Sequence, residues 1–267
     1  MKAALVIGAL AVGLVQAGAE TNLERGKRVI DEAVAALGGD NFLRMADRIE
    51  SGRAYSFYRE QLSGLSIAKI YTRYLTRPEP PVAGFIGVRE RQAFGKDEDS
   101  AVLFADGQGY ELTFRGARPL ADDRLERFKE SNLRNIFYIL RQRLGEPELI
   151  IESRGADVVE NHPVDIVDIT DSGNRTVTVY FSRSTHLPLR QVTVRRDPQT
   201  NLRVEEVTRY SKYRDVGDGV MWPFDIQRER DGEKIYQMYS DSVVINQDLK
   251  DNLFTLPTNM KILKKQK

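Results

Sequence analysis

VDIVDITDSGNRTVTVYFSRSTHLPLRQVTVRRDPQTNLRVEEVTRY, residues 164–210, is a run of short apolar–polar alternations cut by turn residues. Val177, Val179 and Phe181 alternate with polar positions, the period-two pattern of a strand with one buried face. Asp171-Ser-Gly-Asn174, Ser182–His186 and Asp197–Asn201 supply the turns. Leu187 and Leu189 differ in parity from Val192 and Val194, as at a bulge, and Val204 differs from Val207, so that strand either shifts phase or faces apolar matter on both sides. The pattern extends in both directions. It begins near Leu149, and beyond Tyr210 it continues through the Gly217-Asp218-Gly219 turn, a strand opened by Met221-Trp-Pro-Phe224, the Asp231-Gly232 hairpin signal and a strand from Ile235 to Val244. Most of 149–256 is therefore expected to be an antiparallel meander. Trp222 and Phe224 share parity, and at least one is expected in the core.

The N-terminal half adds helices and further strands. Leu23, Ile30, Ala33, Val34 and Leu37 recur at helical spacing, with Asn22 as an N-cap or the first turn starting a residue earlier. Gly38-Gly39 ends that helix, and 41–46 reads as a second short piece. Strands are expected over 49–59, 85–94, 102–105 and 110–114, with the turn Asp106-Gly107 between the last two. Residues 67–75 suit either a strand or a short helix. Pro78, Pro80 and Pro81 make 76–84 a loop. From Asp122 to Leu144 an apolar stripe through Leu125, Phe128, Leu133, Phe137 and Leu140 predicts one long helix, ended by Gly145 and Pro147. No βαβ alternation is present, which counts against doubly wound and α/β-barrel enzymes. The fold class is mainly β (α+β): a large curved antiparallel sheet with helices against one face.

Residues 1–19 carry the three parts of a secretory signal: Lys2, an apolar run from Ala4 to Gln16, and Ala17-Gly18-Ala19 before polar Glu20. The run is shorter than the roughly 20 residues that span a bilayer. The expected organisation is a signal peptide over 1–19 and a single domain over 20–267, placed in the periplasm. The basic end, Lys261–Lys267, reads as a solvated tail or as a weak attraction to anionic head groups.

The 40 Lys and Arg residues against 39 Asp and Glu leave a formal charge of +1, which argues against nucleic acid as the main partner. The absence of cysteine excludes disulfides, thiolate metal sites, cysteine nucleophiles and a lipid-modified cysteine. His162 and His186 are 24 residues apart with no partner at metal-ligand spacing, and both read as exposed turn residues. Ser182 and Ser184 lie near His186 without the glycine-flanked elbow of a hydrolase. Glu205 and Glu206 are adjacent strand residues and point to opposite faces. No calcium loop, Walker loop or dinucleotide fingerprint is present. No catalytic residue, metal or cofactor is expected. A curved sheet closing over helices can instead enclose an apolar volume, or helix side chains such as Phe128 and Phe137 can fill it.

Several segments carry a resemblance. They are Ala35-Ala-Leu-Gly-Gly39 with Asn41-Phe-Leu, Phe104-Ala-Asp-Gly-Gln-Gly-Tyr110, Thr178-Val-Tyr-Phe181, Leu187-Pro-Leu-Arg190, Tyr210-Ser-Lys-Tyr213, Gly219-Val-Met-Trp-Pro-Phe224 and Phe254-Thr-Leu-Pro257. In these the chain resembles the periplasmic lipoprotein carriers and outer-membrane lipoprotein-sorting proteins, as a divergent member. The resemblance implies an unclosed curved antiparallel β-barrel covered by helices, with an apolar interior that receives acyl groups. It implies non-enzymatic binding or transport of a lipid or lipoprotein acyl chain, with an envelope membrane protein as a further partner and transient membrane contact. The chain departs from that pattern by its length and by residues 63–81, which match nothing in it, and no cargo-contacting arginine is assigned by motif. Tyr55, Phe57, Phe85, Phe94 and Phe104 are the expected cavity lining, with the loop 77–84 at its rim. The alternative is a structural or protein-interaction module of an envelope assembly with no lipid cargo.

Cleavage after Ala19 predicts that the exported protein begins at Glu20. Intact-mass measurement after native expression checks this, and a product that retains Met1 refutes it.

Overall fold

A computed structural model describes residues 20–197 and 200–265. The expected signal segment, 1–19, lies outside the described residues. No helix among these residues is long and apolar enough to cross a membrane.

The first helix, α1 (Asn22–Ala36), begins in a capping box. Thr21 Oγ1 accepts from the Glu24 N–H at 3.2 Å, and the Thr21 N–H donates to Glu24 Oε2 at 2.8 Å. Thr21, not Asn22, is therefore the cap, because only the residue three before Glu24 closes the reciprocal pair. A short α2 (Asp40–Arg44) follows.

Thirteen strands among the described residues then form one antiparallel sheet. The N-terminal set is β1 (Asp47–Tyr58), β2 (Gln61–Tyr74), β3 (Val88–Phe94), β4 (Ser100–Ala105), β5 (Gln108–Thr113) and β6 (Gly116–Pro119). The C-terminal set is β7 (Ile150–Val159), β8 (His162–Thr170), β9 (Thr176–Ser182), β10 (Pro188–Arg196), β11 (Arg203–Asp215), β12 (Met221–Arg230) and β13 (Glu233–Ile245). Each set is a meander. They join where β1 pairs with β13, so the order runs from β6 at one edge through β1 and β13 to β7 at the other. At that seam the register shifts between Ser51 and Gly52. A Cβ on Gly52 would lie 2.0 Å from the Tyr239 carbonyl oxygen, so only glycine permits this approach. The sheet is curved and does not close.

Several boundaries differ from expectation. Residues 67–75 are strand, part of a β2 that begins at Gln61. β3 starts at Val88, leaving Phe85 in the preceding loop, and β6 had no strand signal because it is only four residues long. His162 opens β8 rather than sitting in the turn, which is formed by Glu160 and Asn161. The tail is not free as far as Leu263: the Ala117 N–H donates to the Lys261 carbonyl at 2.9 Å and the Leu263 N–H to the Ala117 carbonyl at 2.8 Å.

The largest correction concerns 122–144, which is not one helix. α3 (Asp122–Leu133) stops. Asn135 then caps α4 (Ile136–Tyr138), which widens into a π-helical turn over Ile139–Arg143. The reason is burial on every side. Leu133 is the only buried residue of α3, whereas all eight residues from Ile136 to Arg143 are buried. A segment enclosed all round has no solvent face for a regular amphipathic helix to present.

This buried segment fills the concave side of the C-terminal half. With α1, Phe42 and Met45 it forms the main core against β8–β13, including Val179, Phe181, Tyr210 and both Trp222 and Phe224. On the N-terminal half it is the opposite face of the sheet that is covered. Leu249, Phe254 and Met260 from the C-terminal segment pack on Tyr71, Ala93, Leu103 and Leu112.

Three charged or polar side chains in the buried segment find defined partners. Arg141 donates to the Met45 carbonyl, and Gln142 Nε2 to the carbonyls of Leu75 and Gly87. Arg143 bonds both oxygens of Glu146, at 2.8 and 2.7 Å, and reaches Asp171 Oδ2 at 2.8 Å. Burial alone would raise the Asp171 carboxyl. Hydrogen bonds from Arg143 and Arg175 override it and hold the group below its ordinary value.

Asp171→Asn keeps the turn-capping oxygen but removes the charge from Arg143. It is expected to cost about 3 kcal/mol at neutral pH. A carboxyl depressed in the folded state stabilises fully above its unfolded value of about 3.9, and the contribution is lost as pH falls through the lower folded value. Urea titrations of both proteins from pH 7 to pH 2 should show the difference closing in acid, and a pH-independent gap refutes the assignment.

Candidate functional site

Alternation along the strands decides what faces the concave side of the N-terminal half. In β3, Val88, Glu90, Gln92 and Phe94 share one face. The register carries that face across the sheet: Glu90 pairs with Phe104 on one side and Thr72 on the other, and Thr72 with Arg48. Phe94 pairs with Ala68, and Met238 of β13 lies between Ala54 and Ile226. These residues, apart from Ala54, line a cavity of about 400 Å³.

α3 roofs the cavity. Phe128 stacks on Phe104 with ring centroids 3.7 Å apart and planes 1° from parallel, and Leu120 and Val102 complete that cluster. Phe137 and Tyr138 of the buried segment close one end beside Trp222, whose ring lies 4.7 Å from Phe137. At the other end Arg228, exposed, and Tyr236, half-buried, form the mouth. Trp222 and Arg228 are six residues apart on β12, so the cavity extends about 20 Å along the strands.

The lining has two characters. Ala68, Phe94, Phe104, Phe128 and Met238 make an apolar wall, while the floor carries Arg48, Glu50, Thr72, Glu90 and Gln92. Arg48 donates to Tyr74 Oη at 3.1 Å and Thr72 Oγ1 at 3.3 Å. Its guanidinium carbon sits 4.0 Å from the centre of the Trp222 ring. Glu50 accepts from the Ser240 hydroxyl, and Glu90 from Gln92 at 2.6 Å. Burial raises the Glu90 carboxyl above its ordinary value, opposed by the Gln92 hydrogen bond and by Arg48 and Arg228.

Of the five aromatics chosen as lining, Phe94 and Phe104 come together at this cavity. Phe85 lies in a second, smaller pocket of about 180 Å³ with Pro78, Pro81 and Val82, so the proline loop borders that pocket and not the larger one. Its position there is fixed by Tyr138, whose hydroxyl donates to the Phe85 carbonyl at 2.8 Å and accepts from the Gly87 N–H at 2.6 Å. Tyr55 and Phe57 are not among the lining residues. Tyr55 has the opposite parity from Ala54 and meets Tyr239 edge-on at 5.8 Å; Phe57 lies 4.4 Å beneath the Lys234 ammonium. The polar floor was missed, although a period-two reading from Phe94 back through Gln92 and Glu90 would have found two of its members.

The other chemistry-bearing residues stand apart from the cavity. His186 Nδ1 is 3.3 Å from Glu32 Oε2, Ser182 and Ser184 bond each other at 3.0 Å, and His162 bonds the Glu160 carbonyl at 2.9 Å. No group of three or more His, Cys, Asp or Glu side chains among the described residues is arranged to hold a metal ion.

No protein-family profile matches the sequence, and no curated protein matches it. Solved structures do. A domain described as outer membrane lipoprotein-sorting, from Vibrio parahaemolyticus, superposes with a TM-score of 0.56 at 11% identity, covering 87% of this chain and 97% of that one. A DUF1329 family protein from Desulfovibrio piger gives 0.59 at 13%, covering 88% and 98%. A LolA superfamily protein from Nitrosomonas europaea gives 0.51 at 11%, covering 86% and 97%. The chain thus has the unclosed antiparallel β-barrel fold of these proteins along nearly their whole length.

Glu90→Gln mimics the neutral carboxyl. A carboxyl raised in the folded state favours folding below its unfolded value of about 4.3, and that contribution is lost as pH rises through the folded value. The variant should therefore be more stable than the parent at pH 7 and equal to it below pH 4. Denaturant titration at both pH values checks this, and a variant less stable at pH 7 contradicts it.

Proposed function

We propose that this chain is a non-enzymatic, exported envelope protein that holds the acyl part of a lipid or lipoprotein in the cavity between the concave sheet and α3. The observation that supports this most is the cavity itself. Its volume falls within the range of about 300–1,000 Å³ typical of sites for one small ligand, and Phe94, Phe104, Phe128, Ala68 and Met238 give it an apolar wall. Burying ten methylenes there would contribute roughly 8 kcal/mol before association costs. α3 contributes only Leu125 and Phe128 to the apolar cluster over Val102, Phe104 and Leu120, and its end is tied by Arg175 to Glu130 at 3.2 Å and by Arg143 to the Leu133 carbonyl. The fold shared with lipoprotein-sorting domains and the secretory signal in the sequence agree with this reading.

One observation favours the interaction-module reading. The far end of the β1–β2 hairpin exposes Tyr58, Leu62, Leu65 and Ile67, each more than half accessible. Apolar side chains grouped on a projecting hairpin suit contact with a protein partner.

Titration of the delipidated protein with a fluorescent fatty acid and with a triacylated lipopeptide separates the two. Saturable one-to-one binding of either is expected, weakened at least about tenfold by Phe128→Asp, which places a charge against the apolar wall. Absence of binding by both, with a polypeptide that co-purifies and is lost on Leu62→Ser/Leu65→Ser, moves the function to the hairpin.

A further inference from the structure

The closed end of the cavity has hydrogen-bond donors that the protein itself does not satisfy. The Trp222 side chain is 3% exposed and its Nε1–H has no acceptor. Arg48 is 8% exposed, and its Nε–H also has none. The nearest carboxylate oxygen to that nitrogen, Glu50 Oε2, is 3.7 Å away, beyond hydrogen-bond length. The two terminal nitrogens of Arg48 each donate to a neutral hydroxyl, of Tyr74 and of Thr72, and Glu50 is engaged by Ser240. Glu50 thus balances the charge of Arg48 without accepting from its Nε–H, and this donor and the indole N–H beside it are both buried with their hydrogen-bonding capacity unmet, which is costly. The two groups are held together, because the guanidinium stacks on the indole at 4.0 Å.

The charge of the whole lining has the same sense. Four arginines, Arg48, Arg124, Arg127 and Arg228, face the cavity against two carboxylates, Glu50 and Glu90. The apolar residues lie beyond this polar end: from Trp222, the wall of Phe94, Ala68 and Met238 leads along the strands to the mouth.

We infer that the Arg48–Trp222 end is a head-group subsite for the oxyanion of a single-chain amphiphile, a carboxylate or a phosphate, whose tail runs along the apolar wall beneath Phe128. This rests on the reading that the cavity takes a lipid, and it adds the polarity of the ligand and the direction in which it lies. The anion accepts from Trp222 Nε1 and Arg48 Nε, and satisfies both donors at once. The arrangement selects against a neutral head, which supplies no charge to the guanidinium, and against several chains, since one cavity of about 400 Å³ receives the tail.

Three ligands with one chain length test this: dodecanoate, dodecyl phosphate and dodecanol, each titrated calorimetrically into the delipidated full-length mature protein. At least one of the two anions should bind about tenfold more tightly than the alcohol, the effect of a hydrogen bond to a charged group, and the stronger anion identifies the source of the head group. Trp222→Phe removes the N–H and keeps the aromatic packing. It should weaken the preferred anion severalfold and dodecanol clearly less, since a neutral hydroxyl accepts the N–H more weakly than a charged oxygen. The paired substitution Arg48→Met/Glu50→Gln removes both charges together and should abolish the preference for anions; if that protein does not fold, Trp222→Phe decides alone. Equal affinities for all three ligands, or an equal loss for anion and alcohol in Trp222→Phe, overturn the subsite while leaving a lipid cavity. Binding of none of them overturns both.

Discussion

β6 ends at one edge of the sheet and β7 begins at the other, so the chain between them must cross the whole concave face. That constraint shapes the rest of the molecule. A crossing over the concave side is taken out of water, and its backbone and side-chain polar groups need partners inside the protein. Gln191 from β10 meets it first. Its Oε1 accepts from the Ile136 N–H at 3.0 Å and from Tyr210 Oη at 2.7 Å, and its Nε2 donates to the Arg134 carbonyl at 3.2 Å. Arg141 then ties it to the end of α2, Gln142 to the loop before β3, and Arg143 to Asp171 at the end of β8. One buried segment thus joins both halves of a sheet whose own hydrogen bonds run only between neighbouring strands.

The cavity is a consequence of how that crossing is distributed. Beyond Asn135 the segment is wide and fully enclosed, and with α1 it fills the trough above β8–β13. Before Asn135 it is a single thin helix, with exposed arginines and few apolar contacts, above β1–β4. The C-terminal segment covers this half on the opposite face of the sheet. It is anchored where Asp47 accepts from the N–H groups of Gln247 at 2.7 Å and Leu249 at 3.0 Å. The N-terminal strands therefore acquire a packed core behind them and a space in front. α1 approaches the other half so closely that a Cβ on Gly26 would meet the β7 backbone at 2.9 Å, and no equivalent space remains there.

A space of this kind does not by itself specify a ligand, since one fold supports many sites. Its chemistry comes from which parity of each strand faces inward. On β3 the inward parity is Val, Glu, Gln, Phe, and on β1 it includes Arg48 and Glu50. The resulting surface is apolar under α3 and charged near the plug, a division that suits an amphiphile lying lengthwise. Burial of Glu90 and the stacking of Arg48 on Trp222 follow from the same geometry.

Much of this was legible along the chain. The meander after Leu149 was readable because turn residues and alternating side chains are local signals, each set by the conformation of a few neighbouring residues. Shared parity in one strand put at least one of Trp222 and Phe224 in the core, where both lie, and spacing gave α1. Phe94 and Phe104 could be picked as large apolar strand residues. Tyr55 had the same credentials and faces the other way, because nothing local says which side of an exposed or half-exposed strand the rest of the chain will cover. Phe85 fell outside its strand for a similar reason: Tyr138, more than fifty residues away, holds it. The apolar stripe over 122–144 is real, yet its second half is buried all round, and only packing against a distant sheet could break it at Asn135. What the sequence by itself determined was the elements and their alternation, which depend on contacts between near neighbours. The tertiary structure alone decided that β1 pairs with β13, which face became concave and that the unmet donors of Arg48 and Trp222 came side by side, because each depends on partners far apart in the chain and on the water their meeting excludes.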